Sequence, residues 1–224
     1  VNAVWGNHTA ILAGDFLLAR ASEIAASLGT EIASLLARTI GELCEGQILE
    51  LQSTYKPSRT QESYEQSIAG KTASLLSTAC RIGGLTGGLE RHTVDQLTTF
   101  GHTYGMAFQI VDDILDVIAS EDQLGKPAGN DLIEGVYTLP VLLALESDVG
   151  EQLQELLGKE LSTDERDRAL SLIRSTGAVE EAFTRAQFWA QKAKLELESL
   201  PSSPATNALS AATNHLLDRA QSAS

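Results

Sequence analysis

The sequence is poor in cysteine, methionine and positive charge. Its two cysteines, Cys44 and Cys80, are too few for a disulfide scaffold and follow no metal-ligand spacing. We therefore predict that both are reduced core residues and that the protein is cytoplasmic. The 16 Lys and Arg residues are outnumbered by 30 Asp and Glu, so the net charge is −14. Because a chain this acidic repels phosphate backbones and anionic lipids, we expect no nucleic-acid partner.

Long apolar runs are also missing. None approaches the roughly 18 residues that a membrane-spanning helix needs, and the longest, near residues 139–145, contains Pro140. We therefore predict no transmembrane segment. The sequence begins at Val1 and its single methionine is Met106, so we expect further residues upstream of Val1.

Apolar residues recur with helical spacing along most of the chain, without the alternation typical of strands. The predicted helices cover residues 8–28, 31–53, 60–82, 93–119, 131–147, 149–158, 164–175, 178–199 and 204–221. Short Gly, Pro and Ser clusters separate them, and no linker is long enough to divide two domains. We predict an all-α fold and a single domain over residues 1–224. The helix around Ala10–Ala26 is apolar on most faces, which predicts burial on nearly all sides.

One stretch, Phe108–Asp116, combines a polar stripe with apolar flanks. At 100° per residue, four polar side chains fall within an arc of about 100°. They are Gln109, Asp112, Asp113 and Asp116. His102 and Gly105 extend the stripe toward the N-terminus, and we expect Gly105 to leave room for a ligand against the backbone. The pattern predicts a buried helix whose polar face borders a cavity.

Three carboxylates on one helix face repel one another unless something compensates their charge. Carboxylate oxygens suit Mg²⁺, which keeps several waters and is completed by substrate phosphates. A solvated acidic face, or ion pairs with nearby arginines, explains the spacing as well.

Two isolated lysines are candidate anion-binding residues. Lys126 lies in a glycine-containing loop just after the aspartate helix, where it could close over an anion held by metal. Lys71, followed by Thr72, lies in a helix otherwise made of small and apolar residues, where the ammonium and the hydroxyl could reach a phosphate. Both lysines could equally be solvated surface residues.

Several ordered strings in this chain resemble the trans-type (all-E) polyprenyl diphosphate synthases. They are GNHTAILAGDFLLARA (6–21), GKTASLL (70–76), FQIVDDILD (108–116), LGKPAGNDLIEGVYTLP (124–140) and the closing segment at 176–201. Their order and spacing agree with the family over nearly the whole chain.

The resemblance implies a helical bundle around a deep central cavity and an Mg²⁺-dependent prenyltransferase. Such enzymes condense isopentenyl diphosphate head-to-tail onto an allylic diphosphate, and they commonly form homodimers. By resemblance, Asp112 binds Mg²⁺ directly, while Asp113 and Asp116 support the metal and its waters. The allylic diphosphate would be bound by Lys71, Thr72, Gln109 and Lys126, with Asp112 and Lys71 as the catalytic pair.

The chain departs from the family pattern in two places. Where the family usually has a lysine before TLP, this chain has Val136, so one diphosphate contact is absent or supplied elsewhere. The family's first aspartate-rich motif lies upstream of the 6–21 string, so we interpret the chain as N-terminally incomplete. We expect residues 1–224 alone not to condense substrate and to leave apolar faces uncovered around Ile11–Leu18.

Two alternatives to a synthase stay open. A class I terpene cyclase shares metal-triggered ionisation, although the strings at 6–21 and 70–76 favour the synthase. A noncatalytic partner subunit of a heterodimeric synthase is the other. Against it, a scaffolding subunit has no use for Lys71 or for the three aspartates of residues 112–116.

Overall fold

The computed structural model describes residues 1–119 and 128–223. Within these residues every regular element is a helix and there is no strand, which confirms the all-α prediction. The helices are α1 (Asn2–Ser27), α2 (Thr30–Gln52), α3 (Gln61–Ile68), a π-helical segment (Ala69–Ala73), α4 (Ser74–Thr86), α5 (Arg91–Ile118), α6 (Asn130–Ile133), α7 (Leu139–Leu145), α8 (Gly150–Leu156), α9 (Thr163–Arg174), α10 (Ala178–Glu198) and α11 (Pro204–Ala223).

The chain divides into two compact units, and the first comprises Val1–Gly41. Its helix α1 is interrupted at Gly6, where φ is 80° and ψ is 167°. Only Ala25 of α1 is buried, so the predicted burial of Ala10–Ala26 on nearly all sides is wrong. An apolar helix face favours burial, but the sequence of that helix does not show which other segment covers it. The expected uncovered apolar face around Ile11–Leu18 is confirmed, since Leu12 and Phe16 are 68% and 65% exposed.

The second unit, Glu42–Ser224, is built around α5. Helix α5 packs most extensively against α4 and α10. Helix α10 presents a stripe of fully buried small residues, which lets neighbouring helices approach closely. These residues are Ala182, Ala186, Ala190 and Ala193.

Glycines in α5 serve helix packing rather than ligand space. A Cβ atom at Gly105 would lie 2.6 Å from Cα of Ala73, and one at Gly101 would lie 2.5 Å from the carbonyl oxygen of Leu76. The expectation that Gly105 leaves room for a ligand is therefore wrong. The space beside Gly105 is filled by Ala73 of the π-helical segment and by the Leu76 side chain of α4. The angular position of Gly105 on its own helix does not reveal these neighbours.

The predicted helix over residues 60–82 contains a π-helical turn at Ala69–Ala73. Here the chain meets α2 at two glycines. A Cβ atom at Gly46 would lie 2.4 Å from the backbone nitrogen of Lys71, and one at Gly70 would lie 2.8 Å from the carbonyl oxygen of Glu42. Such close backbone contact is possible only without side chains, and single π-turns inside α-helices are frequent at functional sites.

The helix predicted over residues 131–147 is broken in two. Helix α6 ends before Gly135, whose φ of 73° lies in the left-handed region that favours glycine. Helix α7 restarts at Leu139 with Pro140 in its first turn, a position where the missing proline N–H costs nothing. Residues 136–138 between the two helices are consequently non-helical.

Two further expectations concern the cysteines and the membrane. Both cysteines are free. Cys44 is exposed, so its predicted placement in the core is wrong, whereas Cys80 is partly buried and packs against the core residues Phe100, Ala193 and Leu197. Cys44 lies on an outward face of α2, which its residue type alone does not show. Among the helices of the described residues, none has the length and apolarity required to cross a bilayer.

Candidate active site

A cavity of about 280 Å³ lies beside the polar face of α5, within the second unit. Helix α5, the π-helical segment and the residues just before α7 all contribute to its wall. The lining residues are Glu50, Arg59, Tyr64, Ile68, Lys71, Gln109, Asp112, Asp113, Asp131, Glu134, Val136 and Thr138. Four residues predicted from sequence therefore lie around one cavity, namely Lys71, Gln109, Asp112 and Asp113.

The two adjacent aspartates in this wall have different environments. Asp112 is exposed, whereas Asp113 is 3% exposed. Both carboxylate oxygens of Asp113 accept hydrogen bonds, from the Tyr64 hydroxyl at 2.5 Å and from Gln109 Nε2 at 2.9 Å. Asp112 is thus the carboxylate of the pair that is open to a ligand from the cavity.

Asp113 anchors a chain of hydrogen bonds that links α3, the π-helical segment and α5. The Thr72 hydroxyl donates to Gln109 Oε1 at 2.7 Å, and Gln109 in turn donates to Asp113. Tyr64 completes the chain and is 1% exposed. Because these groups satisfy one another, they hold the side chains of Thr72 and Gln109 in fixed orientations.

Burial controls the protonation of this network. Desolvation raises the pKa of Asp113 well above its usual 3.8, and the charge of Asp131 adds to this effect, while the bonds from Tyr64 and Gln109 oppose it. Desolvation likewise raises the pKa of Tyr64 well above 10.0, with Asp113 as the next cause. Because both of its oxygens already accept hydrogen bonds and it is buried, Asp113 is placed to position its neighbours in this network.

Lys71 extends from the π-helical segment and pairs with a carboxylate of α2. Its Nζ atom lies 2.6 Å from Glu50 Oε1. The cation that the sequence singles out therefore lies at the cavity with a protein counter-ion already in place.

Asp116 does not line the cavity. It is 4% exposed, and its Oδ2 atom accepts a hydrogen bond from the backbone N–H of Asp131 at 3.1 Å. The backbone N–H of Gly129 also donates to the Asp116 carbonyl oxygen at 2.8 Å. Asp116 thereby fixes the start of α6, which carries Asp131 into the cavity wall.

Sequence patterns do not single out several of the lining residues. Asp131 and Glu134 lie within the 124–140 string, so the resemblance includes their neighbourhood but assigns them no role. Glu50 is one of many acidic residues in α2, and Arg59 follows a Lys-Pro-Ser turn. Tyr64 has no local signal. Glu50, Arg59 and Tyr64 are distant from α5 in sequence, and only the packing of the helices places them at this cavity. Lys126 lies outside the described residues.

The cavity wall offers oxygen ligands but no preformed metal cage. In the described parts of the chain, no group of three or more His, Cys, Asp or Glu residues is placed to hold a metal ion. Asp112, Asp131 and Glu134 nevertheless contribute carboxylates to one cavity. This donor set fits Mg²⁺, which is commonly bound through one or two carboxylates with substrate phosphates completing its coordination.

Comparison with known proteins shows the family. Residues 1–173 match the polyprenyl synthetase family. The chain belongs to that family. Among its relatives, heptaprenyl diphosphate synthase component 2 of Geobacillus stearothermophilus is 39% identical over 210 residues, covering 93% of this chain and 66% of the relative. Nonaprenyl diphosphate synthase of Mycobacterium tuberculosis is 38% identical, with 97% of this chain and 66% of the relative covered. The chain thus spans just under two thirds of the length of these relatives.

Solved structures of polyprenyl synthetase family members share the fold. The polyprenyl synthase of Caulobacter crescentus CB15, complexed with calcium and isoprenyl diphosphate, superposes with a TM-score of 0.91 at 32% identity, covering 97% of this chain and 68% of that one. The heptaprenyl diphosphate synthase of Staphylococcus aureus also gives a TM-score of 0.91, at 30% identity, with 97% and 69% of the two chains covered.

Proposed function

We propose that this protein is a prenyltransferase that condenses isopentenyl diphosphate head-to-tail onto an allylic diphosphate. The observation that carries the proposal is the cavity in which Asp112, Lys71 and Gln109 meet. A solvent-accessible carboxylate, a cation and an amide around one space suit a ligand that is both anionic and metal-bound. The relatives named as heptaprenyl and nonaprenyl diphosphate synthases support the same chemistry.

In this proposal Lys71, Thr72 and Gln109 bind the allylic diphosphate, and Asp112 binds Mg²⁺. Mg²⁺, when bound, supplies positive charge that offsets the charge developing on the leaving diphosphate. Lys71 adds a further cation, and the amide of Gln109 is oriented by Thr72 and Asp113. Asp113 and Asp116 act as positioning residues, through Gln109 and through α6. The predicted contribution of Lys126 stays a prediction.

Apolar residues around this site would protect an allylic cation from water. Ile68 and Val136 line the cavity, and Ile110 and Ile114 of α5 are buried in the same apolar cluster as Ile68. Excluding water strengthens the electrostatic interactions inside the site and prevents capture of the carbocation by hydroxide or water. The family relative from Caulobacter crescentus was solved with calcium and isoprenyl diphosphate, which supports a divalent cation and a prenyl diphosphate as ligands here.

The assembly of this chain is a separate proposal. The resemblance implies a homodimer, whereas three relatives bear names that denote parts of a larger enzyme. Two are named component 2, from Geobacillus stearothermophilus and Bacillus subtilis, and the third is decaprenyl-diphosphate synthase subunit 1 of Schizosaccharomyces pombe. These names support the partner-subunit alternative, and light scattering of the purified protein would distinguish a homodimer from a monomer that needs another chain. The single domain over residues 1–224, the terpene cyclase alternative and the cytoplasmic location stay predictions.

The test is prenyl transfer by the natural polypeptide that contains these residues. The protein is incubated with Mg²⁺, an allylic diphosphate and labelled isopentenyl diphosphate, and labelled products are separated by chain length. Asp112→Ala should reduce turnover by orders of magnitude with little change in melting temperature, because Asp112 is exposed and its loss relieves repulsion in α5. The control is Asp148→Ala, an exposed aspartate outside the cavity.

Elongation at the wild-type rate by Asp112→Ala would refute the assignment. Cyclised hydrocarbon released from the allylic substrate would instead favour the terpene cyclase. A parallel reaction with residues 1–224 alone tests the expectation that this chain does not condense substrate by itself.

A further inference from the structure

The cavity has few cations for a site that would bind a diphosphate. Of the lining residues that the structure describes, five are carboxylic acids and two are cationic, Lys71 and Arg59. Lys71 is paired with Glu50 at 2.6 Å. The segment from Glu134 to Pro140, which forms another part of the wall, contains no Lys or Arg. In the described part of the chain, the positive charge at this wall is therefore that of Lys71, which is already paired, and that of Arg59.

Arg59 is buried and held in place by hydrogen bonds. Arg59 lies in the loop between α2 and α3, and it is 8% exposed. One terminal nitrogen, Nη1, donates to the Tyr137 carbonyl oxygen at 3.0 Å, and the other, Nη2, donates to the Ser67 hydroxyl at 2.8 Å. The guanidinium carbon lies 5.5 Å from the centre of the Tyr64 ring. This geometry fixes the guanidinium at the cavity wall.

Arg59 has more hydrogen-bonding capacity than the protein uses. Within the described residues its buried Nε atom has no hydrogen-bond partner. A guanidinium carries five N–H donors, and the bonds to Tyr137 and Ser67 occupy two of them. Buried donors are nearly always paired, and leaving one unpaired costs free energy. Arg59 therefore brings a buried cation with unused N–H donors to the cavity wall that Lys71 also lines, and this combination points to an anionic ligand.

The position of Arg59 also relates it directly to Val136. The carbonyl that accepts its hydrogen bond belongs to Tyr137, the next residue along the chain, and Arg59 and Val136 line the same cavity. A cation at position 136 and the guanidinium of Arg59 would therefore lie on the same part of the wall.

We propose that Arg59 binds the diphosphate of the substrate in this cavity and supplies the positive charge that Val136 does not. Guanidinium groups bind phosphate oxygens through two parallel N–H bonds, which makes Arg59 a specific contact as well as a charge. This inference rests on the proposed function, since it assigns one more residue to the same diphosphate site.

The rival explanation is purely structural. Arg59 could serve only to tie the loop before α3 to Tyr137 and to Ser67 of α3. In that case its removal would loosen the wall, and no cation placed elsewhere would repair the loss. A charge transplanted to position 136 consequently separates the two roles.

The experiment measures binding of inorganic pyrophosphate by titration calorimetry at a fixed Mg²⁺ concentration, in the same natural polypeptide. The variants are Arg59→Gln, Arg59→Lys, Val136→Lys and the double variant Arg59→Gln/Val136→Lys. Arg81→Gln is the matched control, because Arg81 pairs with Asp95 away from the cavity. Thermal unfolding of each variant reports whether the fold is retained.

We expect Arg59→Gln to weaken pyrophosphate binding at least tenfold and Arg59→Lys to weaken it less. The double variant should recover most of the loss, Val136→Lys alone should bind at least as tightly as wild type, and Arg81→Gln should be unchanged. Arg59→Gln binding as tightly as wild type would overturn the proposal. So would a loss that Val136→Lys does not restore, whether or not the melting temperature also falls.

The proposed function can fail separately. The assignment of the diphosphate site is wrong if the wild-type protein does not bind pyrophosphate. It is also wrong if the Lys71→Gln and Asp112→Ala variants bind pyrophosphate as tightly as the wild-type protein does. In either case the proposed role of Arg59 is wrong as well. If binding depends on Lys71 and Asp112 but not on Arg59, only the assignment of Arg59 is wrong.

Discussion

Lys71 Nζ lies 2.6 Å from Glu50 Oε1, so the lysine that the sequence marks as an anion ligand is paired with a carboxylate of α2. The Glu50 side chain is 12% exposed and that of Lys71 is 36% exposed. Gln47 also donates to Glu50 Oε1, at 3.1 Å. A diphosphate that binds to Lys71 must compete with Glu50 for the ammonium group.

Removing this competition should strengthen diphosphate binding. We predict that Glu50→Gln lowers the dissociation constant for pyrophosphate by about two- to fivefold, because partly exposed ion pairs are worth about 0.2–1 kcal/mol. Titration calorimetry at fixed Mg²⁺ measures the effect. Glu62→Gln, an exposed residue of α3 outside the cavity, controls for the loss of one negative charge. Weaker pyrophosphate binding by Glu50→Gln would show that Glu50 holds Lys71 in position for the ligand instead of competing with the ligand for its ammonium group.

The close contact at Gly46 should not tolerate a side chain. In Gly46→Ala the new Cβ would lie 2.4 Å from the backbone nitrogen of Lys71 and 2.7 Å from the carbonyl oxygen of Ser67. Because neither backbone atom can move alone, we predict a loss of about 1–3 kcal/mol in unfolding free energy, as for other overpacked sites. Pyrophosphate binding should weaken as well, since the π-helical segment carries Lys71.

The matched control for Gly46→Ala is Gly83→Ala in α4. Its Cβ would meet nothing within 4 Å, so the substitution should stabilise the protein by about 0.5–1 kcal/mol through the higher helix propensity of alanine. Urea unfolding measures both variants. Equal stability of the two variants would contradict the packing argument.

The raised pKa of Asp113 predicts a pH-dependent stability difference. A carboxyl whose pKa is higher in the folded protein than in the unfolded chain contributes stability at low pH, and this contribution is lost as the pH rises through the folded pKa. Asp113→Asn cannot ionise, and its amide oxygen can still accept the Tyr64 hydroxyl. The variant should therefore gain stability relative to wild type as the pH is raised from 5 to 8.

Urea unfolding at both pH values tests this prediction, with the exposed Asp148→Asn as the control for losing one carboxylate. If Asp113→Asn instead lost stability relative to wild type as the pH is raised, Asp113 would be ionised and stabilised in the folded protein. Prenyl transfer by Asp113→Asn should decline less than in Asp112→Ala, because Asp113 acts through Gln109.

An exposed capping box predicts the opposite pH dependence. Glu165 accepts hydrogen bonds from Lys159 at 2.5 Å and from the backbone N–H of Ser162 at 2.9 Å. These contacts, led by Lys159, lower the pKa of Glu165 from 4.5 to about 2. The resulting stability is present above pH 4.5 and is lost as the pH falls toward 2.

Glu165→Gln should therefore lose stability at pH 7 but little at pH 2.5, and salt should reduce the difference because the side chain is partly exposed. Thermal unfolding at the two pH values measures it. Glu160→Gln, an exposed neighbour, should show no such change between the two values. A deficit of Glu165→Gln that is the same at both pH values would contradict the assignment.

Much of the fold follows from local sequence. Helical periodicity predicted nearly every helix within a few residues, because burying one face of a helix requires that spacing wherever it packs. Helical periodicity does not predict the break within residues 131–147. Gly135 and Pro140 both signal a break, but the apolar residues between them continue the helical spacing and conceal it. The π-turn at Ala69–Ala73 has no such signal, because it arises where two backbones meet at Gly46 and Gly70.

The sequence by itself determined that Gln109, Asp112 and Asp113 lie on one face of one helix, since helical geometry sets their angles. It also indicated the family, through the ordered strings at 6–21, 70–76, 108–116 and 124–140. Only the tertiary structure decided which of the two aspartates stays open to the cavity, because burial of Asp113 depends on Tyr64 from another helix.

Packing likewise decided that Lys71 meets Glu50 and that Arg59 lies beside residue 136. Lys71 and Glu50 are 21 residues apart in sequence, and Arg59 and its hydrogen-bond partner Tyr137 are 78 residues apart. Helical spacing relates neighbours within one element but carries no information about which element packs opposite, so contacts between distant segments are set only when the helices assemble.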